Sequence, residues 1–537
     1  MTDGGSRGPV TAGGGRRPGP GAGTRRMSVL SQTRSPRGAS RGIAPDPPGP
    51  GLQCALLALA GLLAGFTILQ GYAPHDEGLM LQAGARIAGG QWPYRDFWTN
   101  YQPGQEVILA GLQLVFGPSL LAWRLVLVAT DAAVALLAYR LARRRAPEPY
   151  ALGAWLAVAG ALAYPSLPGP NPPALLIAFA ALLAARRRPG LAGALAGLAC
   201  VFRLELGLAA IVGVALEAPW GTRRRAGLAA AAVAAVTLGP FAVVAPGAMW
   251  HDTIGFYSIQ SLQRLPFPLA YHGPLKPSKL IEFYIPLILV AGLAVWAVAI
   301  VAGDRARIAL EDFSPVPLAV VGLAYLLGRT DEFHLVPLAA VLPVMLARAA
   351  PVTRPAVLRG AVALALALIA VHGVERRAGQ LLHPPALAAV PGPAGDGVQT
   401  DPADARSLAL LLAELSRITR PGAPIFVANP RFDLVQAGDP ELYVITGHPN
   451  PTRYDVMQPG VVTTAPVQRE IIASLQRSGT RVVIRWLDPR ADQVEPNGSG
   501  RSSGVNLLGR WIAAHYPPVA RYGYYQVLVG GRRAATR

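Results

Sequence analysis

Between residues 51 and 373 the chain repeats one pattern: apolar runs of about 15 to 25 residues, with a cluster of arginines after about every second run. No other feature constrains the fold as much. In hydrocarbon every backbone N–H and C=O must be satisfied within its own segment, so runs of this kind fold as helices packed side by side. Composition agrees: 52% of the 537 residues are hydrophobic and 15% are charged, with a mean hydropathy of +0.35. A soluble globular chain carries about 25% charged residues. The net charge of +19 invites a nucleic-acid reading. Its distribution argues against one, because the arginines gather between apolar runs as in positive-inside topology. Cys54 and Cys200 lie in apolar segments, so no disulfide framework is expected.

The arginine clusters orient the chain in a cell membrane. Arg143 to Arg145, Arg186 to Arg188, Arg223 to Arg225, Arg305 with Arg307, and the region 348–359 should face the cytoplasm. The stretch from Arg145 to Arg186 has its midpoint at Pro165, a Pro-rich turn on the far side, which makes two spans. The stretch from Arg188 to Arg223 has its midpoint beside Glu205, placing Arg203 and Glu205 at the outer end of a short hairpin. Later spans are expected near 226–247, 281–302, 313–328, 335–350 and 358–373. With the first run, 52–69, the total is about eleven spans, a multi-pass topology with the N-terminus cytoplasmic and the C-terminus extracytoplasmic.

The fold class expected is therefore mainly α, a polytopic membrane protein, with appended segments. Residues 1–50, rich in Gly, Pro, Ser and Arg, are predicted to be a disordered basic cytoplasmic tail. Residues 51–373 form the transmembrane domain, and 374–404, rich in Ala, Pro and Gly, read as a linker. In 405–537 a helix near 405–418, a strand at 424–429, a helix near 466–478 and strands at 481–486 and 524–529 predict a small extracytoplasmic α/β domain.

This topology collects the polar residues on one face. The first outer loop, 71–118, carries His75, Asp76 and Glu77 where the first helix leaves the bilayer, and then Asp96 among Tyr94, Trp98 and Tyr101. Carboxylates at a membrane boundary are costly to place and tend to be functional. Aromatics there sit with the ring inward and the polar tip in water. Apolar residues at helical spacing in 77–88 and 105–117 predict two short helices lying along the interface. Arg203 with Glu205, Lys276, Lys279, Arg329, Asp331 and His334 fall on the same face. Each has a plain structural explanation, from a snorkelling helix end to a local ion pair, and their shared face favours function.

In order along the chain, Asp76-Glu77, PYRDF with YQPG, FRLELG at 202–207, GRTDEFHL at 328–335 and TRYDVMQPG at 452–460 resemble the GT-C glycosyltransferases. The nearest likeness is to bacterial protein O-mannosyltransferase and aminoarabinose-transferase types. The resemblance implies transfer of a sugar, hexosyl or pentosyl, from a polyprenyl-phosphate donor to a glycan, lipid or protein acceptor outside the cytoplasm. It implies Asp76 and Glu77 as the acidic catalytic pair, joined by Asp96, with a cation among Arg203, Arg329, Lys276 and Lys279 on the donor phosphate. Inversion by direct displacement is expected, since no covalent nucleophile is evident. Family members differ over a divalent metal ion; His75, Asp76, Glu77 and His334 would ligate one only if brought together. Two other readings stay open: a lipid-linked glycan polymerase or ligase, and a transporter or flippase with no chemistry, whose charges would lie nearer the bilayer midplane.

Overall fold

The computed structural model describes residues 49–163, 169–270, 277–303, 309–353 and 355–531. The basic tail as far as residue 48, the turn at Pro165, Lys276, and Arg305 with Arg307 lie outside the described residues. The remainder is mainly helical. Helix α1 (Pro50–Gly65) leads into α2 (Asp76–Ala88) and α3 (Gly104–Phe116), the two short helices expected in the first loop. The long α4 (Leu120–Arg143) begins at Ser119, whose hydroxyl accepts from the Ala122 N–H and caps the first turn. Then follow α5 (Glu148–Leu162), α6 (Asn171–Ala184), α7 (Pro189–Ala199), α8 (Leu204–Glu217) and α9 (Arg223–Val244).

Beyond α9 the chain leaves the bundle through α10 (Pro246–Trp250), a π turn and α11 (Phe256–Gln260). It returns through α12 (Pro277–Gly303), α13 (Val316–Gly328), α14 (Glu332–Ala349) and α15 (Ala356–Leu382). Among the described residues, six helices are long and apolar enough to cross a membrane. Helices α5 to α8 have 11 to 15 residues each. At 1.5 Å per residue such helices reach about 16 to 23 Å, short of a hydrocarbon core of about 30 Å. Counting arginine clusters marks where the chain turns, not how deep each leg goes.

Small residues let these legs pack. A Cβ on Gly193 or Gly197 of α7 would lie 1.9 or 2.3 Å from the Ala226 or Ala230 carbonyl oxygen of α9, so both positions require glycine for the helices to touch. The core of the bundle is correspondingly rich in Ala, with Ala135, Ala154, Ala178 and Ala347 fully buried.

The C-terminal part opens with the two-residue strands β1 (Ala388–Ala389) and β2 (Gln399–Thr400), paired antiparallel, and then α16 (Pro402–Ile418). A four-stranded sheet follows, built from β3 (Ile425–Ala428), β4 (Val482–Trp486), β5 (Pro518–Tyr522) and β6 (Tyr525–Val529) in the order β3-β4-β6-β5. The β3–β4 pair is parallel and the others antiparallel. Between the strands run α17 (Glu441–Thr446), α18 (Ala465–Ser478) and α19 (Leu507–His515). One apolar core joins this sheet to the first loop: Leu79, Leu81, Trp98 and Leu109 share it with Phe426, Leu442 and Ile484.

Candidate active site

The first loop is held in shape by its own hydrogen bonds. Tyr94, at φ 67°, turns the chain in the left-handed region, and its N–H donates to the Phe97 carbonyl at 2.9 Å. Its hydroxyl donates to the Tyr101 carbonyl at 2.7 Å, which fixes the position of Tyr101. Gly104 then meets the turn before α8: its N–H donates to the Val201 carbonyl at 2.8 Å, and a Cβ there would lie 2.7 Å from that oxygen. The Leu204 N–H donates to the Gln102 side chain at 3.4 Å. YQPG is thus seated on FRLELG, and the Tyr101 ring comes 5.7 Å from the Arg203 guanidinium.

Around that contact the elements converge. The N-terminus of α8 supplies Arg203 and Glu205, whose charged atoms are 3.1 Å apart. The Tyr325 hydroxyl, from the end of α13, accepts from Arg203 and donates to Glu205, with the guanidinium 4.9 Å above its ring. Tyr257 of α11 lies near Glu205; burial, together with Glu205, pushes its phenol up. The turn between α13 and α14 brings Asp331, which caps α14 through the His334 N–H at 2.9 Å. Asp331 also accepts from His334 Nδ1 at 2.6 Å and from Arg329 Nε at 2.7 Å. Burial works to raise the Asp331 carboxyl, but His334 and Arg329 outweigh it and hold it at about 2. The His334 ring lies 5.8 Å from that of Tyr325.

Asp76 begins α2, partly exposed, and makes no side-chain hydrogen bond to any described residue. It belongs to the same cluster electrostatically. Burial pushes the Tyr101 phenol up to about 12, with Asp76, Asp331 and Glu106 adding to the rise and Arg203 opposing it. One half-buried phenol therefore feels Asp76, Arg203 and Asp331 together. Two atoms facing this group, Arg203 Nε and Glu205 Oε2, have no hydrogen-bond partner among the described residues.

Other expected site residues sit elsewhere. Glu77 is fully buried and bonded to Arg124, whose Nε and Nη2 lie 2.8 and 2.6 Å from its two oxygens, so the structure does not bring Asp76 and Glu77 to one site. Asp96 is at the surface, bonded to Arg95 at 2.7 Å and to the Trp92 N–H; the Arg95 contact holds its carboxyl low, opposite to a base. Tyr94 and Trp98 are core residues, 0% and 4% exposed, Trp98 against Phe256. Lys279 is paired with Glu282 and Glu332 instead of standing free for a phosphate. Arg329 spans Asp331, Glu495 at 2.7 Å and the Gln263 carbonyl, which makes it a tie between segments. His75 accepts from the Gly438 N–H through Nδ1. Among the described residues no three His, Cys, Asp or Glu side chains are placed to hold an ion, so His75, Asp76, Glu77 and His334 do not form a ligand set. Tyr325, Tyr257 and Glu495 were not anticipated. Only Tyr325 carried a signal, standing one helical turn before Arg329.

No protein-family model matches the sequence, and neither does any curated protein. Solved structures match in shape. The crystal structure of ArnT from Cupriavidus metallidurans, bound to undecaprenyl phosphate, aligns with 90% of this chain and 98% of its own, at a TM-score of 0.54 and 15% identity. The cryo-EM structure of the arabinofuranosyltransferase AftD from Mycobacteria aligns with 90% of this chain at a TM-score of 0.51 and 14% identity. The chain has the GT-C fold. It matches ArnT over nearly its whole length, and 40% of the longer AftD. Within this GT-C fold the cluster of Asp76, Tyr101, Arg203, Tyr325 and Asp331 lies where the first loop meets the starts of α8 and α14 and the end of α13.

Proposed function

We propose that the protein is an integral membrane glycosyltransferase. It moves a hexosyl or pentosyl group from a polyprenyl-phosphate donor to a hydroxyl of a glycan, lipid or protein acceptor on the extracytoplasmic face, with inversion. The topology that goes with this reading is multi-pass, with legs that turn at the arginine clusters, a cytoplasmic N-terminus and the β3–β6 sheet outside. The observation that carries it is a complementary pair of free groups about one half-buried phenol. Among the described residues Asp76 is a carboxylate with no hydrogen-bond partner, and Arg203 a guanidinium whose Nε has none.

In the reaction Asp76 takes the proton of the acceptor hydroxyl, whose oxygen forms a bond to the sugar's anomeric carbon. The bond from that carbon to the donor phosphate oxygen breaks, and its electron pair stays on the phosphate. Arg203 carries the developing charge, with its Nε left to donate to a phosphate oxygen. Tyr325 and Glu205 hold the guanidinium in place, and Asp331 with His334 backs them. An apolar cavity of about 110 Å³ lies between α5, α12, α14 and α15, and would take the start of the donor's lipid chain. Glu332 stands at its edge, next in sequence to Asp331. The ArnT structure with the same fold holds a lipid phosphate of this class.

The test is transfer from a panel of radiolabelled polyprenyl-phosphate sugars by the purified protein in lipid. Wild type is expected to turn over at least one donor with inverted product, and Asp76→Asn to lose about 10²- to 10⁴-fold with unchanged thermal unfolding. Equal turnover by wild type and Asp76→Asn would remove Asp76 as the base. Absence of turnover with every donor, alongside lipid binding that ignores the mutation, would replace the reading with a transporter.

A further inference from the structure

The end of the bundle opposite the site holds a second concentration of charge, and the transfer chemistry makes no use of it. Helices α4, α6, α8 and α14 finish there and α9 starts there, bringing together Arg143 to Arg145, Arg186 to Arg188, Arg223 to Arg225 and Arg348. The facing acids are already engaged. Arg186 lies 2.9 Å from Glu217 and 3.1 Å from Glu311, Arg145 lies 3.2 Å from Asp312, and Arg143 lies 3.2 Å from Glu148. The surplus of guanidinium groups is what positive-inside topology produces, and by itself it is a solvated rim.

Arg348 is different. Its side chain is 94% buried at the last turn of α14, and it makes no ion pair with a described residue. It donates to the Leu141 carbonyl and the Ser314 hydroxyl, both at 3.2 Å, which leaves Nη2 buried without an acceptor among the described residues. Arg144 and Arg145 act on it as like charges. Glu217, the acid that acts on it most, makes its contacts with Arg186 and Arg144 instead. Glu217 and Asp312 offset those like charges without an ion pair to Arg348 among the described residues, so its buried Nη2 still lacks an acceptor, which is unfavourable unless an outside group completes it.

The level of this cluster in the membrane is marked by Trp220, which is 80% exposed with the Arg223 guanidinium 4.2 Å over its ring. Exposed tryptophan beside arginine is the signature of the headgroup layer. Just past it, Leu191 of α7 and Leu228 of α9 are exposed apolar side chains, the surroundings an acyl chain needs. We propose that this end binds the phosphate headgroup of an anionic phospholipid, with Arg348 as the buried anchor and Arg144 and Arg145 beside it. The headgroup is thereby seated on α14, whose other end carries Asp331 and His334.

The full chain is reconstituted in phosphatidylcholine nanodiscs with or without phosphatidylglycerol. Lipid retained through detergent transfer is read by native mass spectrometry, and stability by thermal unfolding. Wild type is expected to retain phosphatidylglycerol and to unfold several degrees higher with it; Arg348→Ala should retain about tenfold less. The exposed-site control Arg224→Gln with Arg225→Gln should match wild type. Should Arg348→Ala fail to fold, Arg348→Lys keeps the charge without the fork and is expected to lower retention severalfold. Equal retention in wild type and the Arg348 variants overturns the proposal. So does equal loss in the control, which would mean diffuse charge. Equal stabilisation by inorganic phosphate in phosphatidylcholine discs overturns it as well, because the site would then take a free anion.

Discussion

Asp76 and Glu77 are neighbours with the same chemistry, and the first turn of α2 separates their roles. Successive residues on a helix point about 100° apart. Glu77 therefore turns inward onto Arg124 while Asp76 stays partly exposed and acts on Tyr101. Glu77→Gln leaves the Arg124 guanidinium buried, 5% exposed, without its counter-charge. Breaking a buried pair this way costs about 3–5 kcal/mol. The expected outcome is a lowered unfolding temperature with specific activity kept in whatever folds, the reverse of Asp76→Asn, and paired thermal and transfer assays separate the two. Tyr325 adds a second case. Its hydroxyl hydrogen-bonds both Arg203 and Glu205, so Tyr325→Phe should fold normally, lose about tenfold in transfer and bind donor more weakly. The sequence made the acids, Arg203 and Asp331 visible as polar residues on one face. It did not show which of two adjacent carboxylates was already paired, because Arg124 lies 47 positions from Glu77 inside an apolar run.

Among the elements, the start of α2 is positioned by what lies beneath it. The Glu441 N–H at the start of α17 donates to the Pro74 carbonyl at 3.3 Å, and Asp439 accepts from the Tyr525 hydroxyl at 2.8 Å and Tyr72 at 3.4 Å. Asp439 is 1% exposed; burial drives its carboxyl up to about 6 against those hydrogen bonds. Burial also pushes Glu441 up, with Glu77 and Asp439 adding to it. A carboxyl with a raised native value binds its proton more tightly folded than unfolded, so stability falls as pH rises. For Asp439 the fall runs from its ordinary value near 4 to about 6, and Glu441 extends it to higher pH. Thermal unfolding between pH 4 and 7 should show this slope, and Asp439→Asn should flatten its lower part. A flat profile in wild type would mean that both acids ionise freely. Most of these elements were readable in outline: the helices at 402–418 and 465–478 and the strands at 425–428, 482–486 and 525–529 follow the expected periods. Strand β5 was missed because Pro518 and Arg521 break its apolar alternation, and as the sheet's edge it has no need of one. Helices α17 and α19, at 6 and 9 residues, are too short for a period to emerge.

On the scale of the whole molecule, the sheet-bearing part works as a clamp on the first loop. TRYDVMQPG supplies most of the grip: Arg86 of α2 lies 2.5 Å from Asp455 and donates to the Thr452 carbonyl at 2.6 Å. The Trp98 N–H donates to the Arg453 carbonyl, and Arg453 donates to the Tyr94 carbonyl, both at 2.8 Å. The family resemblance singled out this motif but not its partner, since Arg86 and Asp455 are 369 positions apart and only the fold brings them together. Their side chains are 6% and 2% exposed, so a lone substitution strands a buried charge while a double apolar replacement does not. Asp455→Leu alone should destabilise by about 3–5 kcal/mol, and Arg86→Met alone by a similar amount, while the double variant recovers most of the loss. Transfer should track the clamp more closely than stability does, because α2 carries Asp76 and its displacement by about 1 Å is felt at the reacting centre. The double variant is thus expected to regain its unfolding temperature before its turnover. If turnover returns fully with stability, the ion pair is only a packing contact. If it stays low in a well-folded double variant, the distant segment sets the position of the base.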